Sequence, residues 1–103
     1  MNKLTDDFIE QVLAIVDEIP EGKVTTYGLV AKLIGKEKNA RLVGKALRFS
    51  DSYGEYPCHR VVNSSGKLVV GWHKQREMLL REGILFKKTG NVDLKNCLWD
   101  GKF

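Results

Sequence analysis

The chain has 103 residues, of which 43% are hydrophobic and 29% are charged, and its formal net charge is +4. This length suits one compact domain and excludes a second, so we expect a single domain over residues 1–103. Acidic residues interrupt the first apolar stretch and exclude a signal peptide or a spanning helix there, so we expect a soluble, intracellular protein. The basic balance favours a polyanionic partner, although charge alone is weak evidence for nucleic acid.

Three helices are predicted in the first half of the chain. Thr5 is expected to cap the first, whose apolar residues recur at helical spacing until Pro20 ends it. Thr25 or Thr26 caps the second, which Gly35 stops. The third places most of its apolar residues opposite its basic ones: Leu42, Val43, Ala46 and Leu47 against Arg41, Lys45 and Arg48. Two short helices with a tight basic connection are typical of a helix-turn-helix.

Gly44 lies inside the third helix, where glycine costs roughly 1 kcal/mol relative to alanine. One interpretation is that Gly44 lets a foreign backbone, such as that of DNA, come close. The other is that it merely lets two helices pack. Taken alone, the residue pattern favours the second interpretation.

The second half of the chain is predicted to hold a small wing and one more helix. Arg60–Val62 and Leu68–Val70 favour strands, and the intervening run Asn63–Gly66 supplies a turn, so we expect a β-hairpin. A charged helix follows, with Gly83 as its C-cap. The predicted fold class is therefore mainly α with a small β-hairpin, arranged as a winged helix-turn-helix.

The tail beyond residue 84 alternates apolar and polar residues, which predicts a short strand pair. Trp99 and Phe103 are expected to fold back on the core.

Cys58 lies in the run Tyr-Pro-Cys-His-Arg-Val-Val, and it suits more than one chemistry. A thiol reacts as the thiolate, which a nearby histidine or positive charge favours. His59 is adjacent in sequence, a water could bridge the two side chains, and Glu82 on the following helix could orient the imidazole. These residues form a candidate Cys-His-Glu relay, whereas a small buried residue is the plainer interpretation of Cys58.

Zinc is a weaker alternative. Cys58, His59, His73 and Cys97 are four potential ligands, but an adjacent Cys and His rarely both reach one tetrahedral ion, and neither knuckle spacing is present. We therefore expect no metal site. Cys97 is expected to be a buried structural thiol.

The segment from Ile19 to Leu68 contains the pentapeptide PCHRV and, upstream of it, the helix ARLVGKALR. These motifs resemble the C-terminal, DNA-binding and active-site domain of the 6-O-alkylguanine-DNA alkyltransferases, over about residues 8–83. The resemblance implies that the protein flips an alkylated guanine out of duplex DNA and moves the alkyl group irreversibly, once and without a cofactor, onto its own cysteine. It also implies a monomer that is cytoplasmic and nucleoid-associated in a bacterium, or nuclear in a eukaryote.

By this resemblance, Cys58 is the alkyl acceptor, His59 deprotonates it through a water, and Glu82 holds His59. Arg41 matches the arginine finger that fills the space left by the flipped nucleotide, and Tyr27 matches the tyrosine that crowds the neighbouring phosphate. The other implied DNA contacts are Gly44, Lys45, Arg48 and Ser50, and the implied lesion pocket consists of Tyr27, Pro57, Val61 and Trp72.

Some features depart from that pattern. Ser50 stands where the family usually has an asparagine that braces the active-site segment. The usual tyrosine- and glycine-rich lid is replaced by a stretch in which Trp72 either offers an indole for base stacking or simply covers the hairpin. We also expect no counterpart of the N-terminal domain that many alkyltransferases have.

These departures resemble the small alkyltransferase-like proteins, which bind alkylguanine without transfer and pass the lesion to nucleotide excision repair. That branch normally replaces the cysteine, which this chain keeps. We therefore favour alkyl transfer to Cys58, with lesion binding without transfer as the alternative. A winged-helix regulator that reads undamaged DNA is a third hypothesis, but it leaves the PCHRV motif unexplained.

Overall fold

The computed structural model describes residues 4–101, which form a mainly helical fold with a small two-stranded sheet. The predicted fold class, mainly α with a small β element, is confirmed. Across these residues, no helix combines the length and the apolar character needed to cross a membrane. Short 3₁₀ turns lie at Glu37–Asn39, Ser50–Ser52 and Cys58–Arg60. The helices and strands are α1 (Asp6–Asp17), β1 (Thr25–Thr26), α2 (Tyr27–Leu33), α3 (Ala40–Arg48), β2 (Val61–Val62), α4 (Lys74–Arg81) and α5 (Leu94–Cys97).

The helix α1 supplies one side of the main core. Thr5 caps it as predicted, because its side chain accepts a hydrogen bond from the amide of Phe8 at 3.1 Å. Burial of each large apolar side chain contributes on the order of 1.5–3 kcal/mol before conformational entropy is subtracted. The buried face of α1 packs against α2 and α3 and consists of Phe8, Ile9, Val12, Leu13 and Val16.

The helices α2 and α3 form the predicted helix-turn-helix. Thr26 is the residue that caps α2, accepting from the amide of Leu29 at 3.1 Å. Val43 and Ala46 bury one side of α3 in the main core. The basic residues of α3 are consequently left exposed on its other side, and they are Arg41, Lys45 and Arg48.

The predicted β-hairpin is wrong in its pairing. Val61–Val62 is a strand, but it pairs in parallel with Thr25–Thr26 and not with Leu68–Val70. The expected turn does form, because the Asn63 side chain accepts hydrogen bonds from the amides of Ser65 and Lys67, each at 2.8 Å. Beyond that turn the chain does not return as a strand, since a side chain of α4 takes up the backbone amide of Val69.

A second apolar cluster includes residues of β2 and α4. Gly83 follows α4 in the left-handed conformation expected of a C-cap, with φ of 83°. The cluster consists of Val24, Val62, Leu79, Ile84, Val92 and Cys97.

The tail only partly matches its prediction. The expected strand pair is reduced to one antiparallel bridge between Phe86 and Val92. Helix α5 was not predicted, because four residues are too few to show a helical period. Trp99 is buried in the main core as predicted, and Phe103 lies outside the described residues.

Candidate functional site

An open cleft of about 950 Å³ lies between α3, the 3₁₀ turn at Cys58–Arg60 and the segment that precedes α4. It gathers basic, aromatic and nucleophilic side chains from distant parts of the chain. Its lining consists of Tyr27, Ala40, Arg41, Gly44, Lys45, Leu47, Arg48, Ser50, Asp51, Tyr56, Cys58, Val69 and Trp72.

Cys58 is half-buried and opens into this cleft as a free thiol. Burial raises the pKa of Cys58, and the nearby Asp51 carboxylate raises it further, while a hydrogen bond with the Ser50 side chain acts in the opposite direction. The thiol is therefore mostly protonated at neutral pH in the free protein. Any reaction at Cys58 consequently needs a base to remove that proton.

We expect Asp51→Asn to make Cys58 react severalfold faster with iodoacetamide at pH 8, because the change removes a negative charge that disfavours the thiolate. Ser50→Ala should slow the same reaction, because it removes a hydrogen bond that favours the thiolate. The rates would be followed by peptide mass, with buried Cys97 as the slow internal reference. Equal rates in Asp51→Asn and the unchanged protein would contradict this electrostatic account of Cys58.

His59 and Glu82 are in direct contact, with His59 Nε2 lying 2.6 Å from Glu82 Oε2. Partial burial tends to raise the pKa of Glu82, but hydrogen bonds from Arg60, His59 and the amide of Gly22 outweigh it and hold that pKa below its ordinary value. An ionised carboxylate only accepts hydrogen bonds, so Nε2 of His59 must carry the proton that they share. Nδ1 of a neutral His59 is then the ring nitrogen that can take up a proton.

Arg60 completes this group, and no role for it was predicted from the sequence. Its Nε donates to Glu82 Oε1 at 2.9 Å, and its Nη1 donates to the carbonyl of Ile19, which follows α1, also at 2.9 Å. The pair is largely buried, with 15% of the Arg60 side chain and 11% of the Glu82 side chain exposed. Arg60 therefore fixes the carboxylate that His59 contacts.

Tyr27, the first residue of α2, lines the cleft together with Cys58. Burial raises the pKa of Tyr27, the negative charge of a Cys58 thiolate raises it further, and Arg48 lowers it. The phenol thus remains protonated and is a hydrogen-bond donor at the cleft.

Gly44 lines the cleft beside Tyr27, and the structure shows that protein packing does not require a glycine there. A Cβ added at Gly44 would lie 3.9 Å from the Tyr27 ring, an ordinary van der Waals contact. The interpretation that Gly44 lets two helices pack is therefore not needed. The close approach of a DNA backbone to Gly44 stays a prediction.

The structure brings most of the predicted site residues to this cleft, with some exceptions. Val61 is fully buried in the main core and does not line it, because its strand pairs with β1 on the inner side. Pro57 is half-buried and is not among the lining residues. His59 and Glu82 do not line the cleft either.

Besides Arg60, two more residues near the site were missed by sequence reasoning. Asp51 lies beside Ser50 and could have been inferred from that adjacency. Gln75 is completely buried on α4 and donates a hydrogen bond to the carbonyl of His59 in the Cys58–Arg60 turn, a contact that no local pattern indicates.

Metal binding finds no support in the part of the chain that the structure describes. Residues 4–101 contain no group of three or more His, Cys, Asp or Glu side chains placed to hold an ion. Cys97, one of the potential ligands considered, lies in the second apolar cluster, and its thiol faces the carbonyl of Asp93 at 3.4 Å.

Comparison with known proteins decides the family. A family model described as 6-O-methylguanine DNA methyltransferase, DNA binding domain, matches residues 7–84. The chain belongs to this alkyltransferase family. The residues that match the family model include the helix-turn-helix, the Cys58–Arg60 turn and α4. The whole cleft therefore lies inside the matched domain.

Relatives within the alkyltransferase family differ in what they are named for. The DNA base-flipping protein of Escherichia coli strain K12 is 42% identical over 98 residues, covering 92% of this chain and 76% of the relative. The methylated-DNA–protein-cysteine methyltransferase of Methanosarcina acetivorans is 42% identical over 62 residues, covering 60% and 40%. The structure of Schizosaccharomyces pombe Atl1 in complex with damaged DNA containing O6-carboxymethylguanine superposes with a TM-score of 0.81 at 31% identity, covering 96% and 98%.

Proposed function

We propose that this protein recognises 6-O-alkylguanine in duplex DNA by flipping the damaged nucleotide into the cleft, and that Cys58 then accepts the alkyl group. The observation that supports this most is the position of Cys58: it opens into the same cleft that Tyr27 and the basic residues of α3 line. A cleft of about 950 Å³ has ample room for a guanine base. Relatives named for base flipping and for methyl transfer agree with both halves of the proposal.

Binding to the duplex starts at the exposed face of α3. Lys45 and Arg48 are exposed there and suited to contacts with phosphate oxygens, which contribute affinity without reading sequence. Arg41, near the start of α3, enters the base stack and fills the place of the flipped nucleotide. Tyr27 crowds the phosphate beside the target.

The transfer step is a displacement at the alkyl carbon. His59 takes the proton of the Cys58 thiol through a water, with its ring held in place by the ionised Glu82. The thiolate attacks the alkyl carbon, so that a sulfur–carbon bond forms as the carbon–oxygen bond to guanine O6 breaks. The guanine leaves with the electron pair and takes up one proton, which restores its ordinary form. The cysteine stays alkylated, so each molecule acts once.

Lesion binding without transfer is the second candidate. It is favoured by the raised pKa of Cys58, caused by burial and by Asp51, because both oppose formation of the thiolate. The likeness to Atl1 agrees with it. In that case the protein marks the lesion for nucleotide excision repair.

Recognition itself is tested by the affinity for a duplex with one 6-O-methylguanine, compared with the same duplex carrying guanine. A 2-aminopurine next to the lesion reports flipping, because its fluorescence rises when its neighbour leaves the stack. We expect tighter binding to the damaged duplex together with increased fluorescence. Equal affinity for both duplexes would exclude lesion recognition and favour a regulator of undamaged DNA.

Gly44→Ala is expected to separate folding from DNA binding. The structure accommodates the new methyl group, and alanine is the better helix former by about 1 kcal/mol, so thermal stability should not fall. DNA affinity should fall, because the methyl group lies where the duplex backbone approaches. Gly28→Ala in α2 is the matched control, since its Cβ would also find only an ordinary contact and Gly28 does not line the cleft. Unchanged affinity in Gly44→Ala would mean that DNA does not approach this helix closely.

A further inference from the structure

The wall of the cleft opposite α3 is formed by the segment Val69–Trp72, which has no regular secondary structure. Val69 and Trp72 line the cleft, and Val70 between them is 87% exposed. A segment so open to solvent buries little apolar surface of its own, so its position depends on specific hydrogen bonds.

One hydrogen bond closes the segment on itself, since the amide of Trp72 donates to the carbonyl of Val69 at 3.3 Å. The hydrogen bonds that attach the segment to the rest of the protein come from Gln75, at the start of α4. Its Oε1 accepts from the amide of Val69 at 2.7 Å, and its backbone amide donates to the carbonyl of Trp72 at 3.2 Å. Both ends of the wall segment are therefore attached to one residue.

The other end of the same side chain reaches the active-site segment. Gln75 Nε2 donates to the carbonyls of His59 and Val61, each at 3.2 Å. Gln75 is fully buried, and every polar atom of its amide has a partner in this orientation. The reversed orientation would face oxygen toward two carbonyls, so the contacts define which way the amide points.

We infer that Gln75 is a positioning residue that holds the Val69–Trp72 wall at a set distance from the segment bearing Cys58 and His59, and so makes the lesion pocket rigid before DNA binds. The inference rests on the proposed function, because it assigns the wall to the flipped base. A preformed wall costs little ordering entropy on binding, whereas a mobile one would have to be ordered each time. Trp72 is the group on that wall with a face suited to stacking on a base.

Gln75→Leu is the direct test, because leucine has a similar size and cannot make any of the side-chain hydrogen bonds. Val12→Ala is the matched control: it leaves a cavity in the main core without touching the wall. All affinities would be measured at a temperature where circular dichroism shows each variant fully folded.

The first readout is hydrogen exchange at the Val69 amide, which does not depend on DNA. We expect protection in the unchanged protein and in Val12→Ala, and exchange close to that of an open loop in Gln75→Leu. Retained protection in Gln75→Leu would overturn the inference, since the wall would then be held by something else.

The second readout is lesion preference, the ratio of affinities for damaged and undamaged duplex. In Gln75→Leu this ratio should fall at least about fivefold, which is the loss that one missing base–aromatic stack causes. In Val12→Ala the ratio should stay unchanged. The double variant with Trp72→Ala should lose no more than the larger single loss, because both changes remove the same wall. An unchanged ratio in Gln75→Leu, or additive losses in the double variant, would overturn the positioning role.

Failure of the proposed function would look different. The unchanged protein would then show no lesion preference at all, although its Val69 amide would still be protected and Gln75→Leu would still expose it. That result would overturn the assignment of the wall to a flipped base.

Discussion

Glu82→Ala is expected to lower the free energy of unfolding by about 3–5 kcal/mol, the usual cost of removing one partner from a buried ion pair. The change leaves the Arg60 guanidinium without its counter-ion, although only 15% of the Arg60 side chain is exposed. It also removes the acceptor for the amide of Gly22, 3.2 Å away, and the contact with His59. Urea unfolding followed by circular dichroism measures the change.

The matched control for this substitution is Glu77→Ala, on the same helix. Glu77 pairs with Arg81, but 60% and 74% of their side chains are exposed, so its loss should cost less than about 1 kcal/mol. Because hydrogen bonds hold the pKa of Glu82 below its ordinary value, its contribution is present above the unfolded pKa and disappears as the pH falls through the folded pKa. The gap between Glu82→Ala and the unchanged protein should therefore shrink on acidification. Equal losses of unfolding free energy in Glu82→Ala and Glu77→Ala would contradict the claim that Glu82 belongs to a buried ion pair.

Arg41→Ala is expected to reduce affinity for the damaged duplex by about ten- to a hundredfold, because extruding a base costs a few kcal/mol and no side chain would fill the vacated stack. Affinity for undamaged duplex should fall much less, because flipping contributes little there. Titrations with both duplexes, monitored by fluorescence anisotropy, measure the two losses separately.

Lys45→Ala is the contrasting variant on the same helix face. Lys45 also lines the cleft, but we assign it to a phosphate contact. Its loss should therefore weaken binding to both duplexes alike and reduce the salt dependence of binding by about one counterion. If Arg41→Ala also weakened both duplexes equally, Arg41 would be a phosphate contact and not the residue that replaces the flipped nucleotide.

Local signals account for the parts of the fold that sequence reasoning predicted correctly. Thr5 and Thr26 are caps with a side-chain oxygen one turn ahead of an apolar repeat, and each does cap its helix. The β-hairpin prediction failed because the turn depends on local residues, whereas the strand pairing depends on residues far away in the sequence. Asn63 closes the turn as expected, whereas the fate of the Val69 amide depends on Gln75, a residue on a different element.

The candidate site divides in the same way. Its exposed basic residues follow from the helical period of α3. The pairing of His59 with Glu82 was a candidate from the residue types, and the family resemblance then implied it. The influence of Asp51 on the thiol and the hydrogen bonds of buried Gln75 could not be predicted from the sequence, because they depend on distances in the folded protein. The burial of Val61, which was assigned to the lesion pocket, follows from a parallel pairing between strands far apart in sequence.

The most direct test of the central claim is the intact mass of the protein after incubation with a duplex carrying one 6-O-methylguanine. An undamaged duplex and the variant Cys58→Ala serve as controls. Our account predicts a mass increase of one methyl group in place of one hydrogen, only with damaged DNA and only when Cys58 is present. An unchanged mass together with tight binding to the damaged duplex would contradict transfer and leave a protein that marks the lesion.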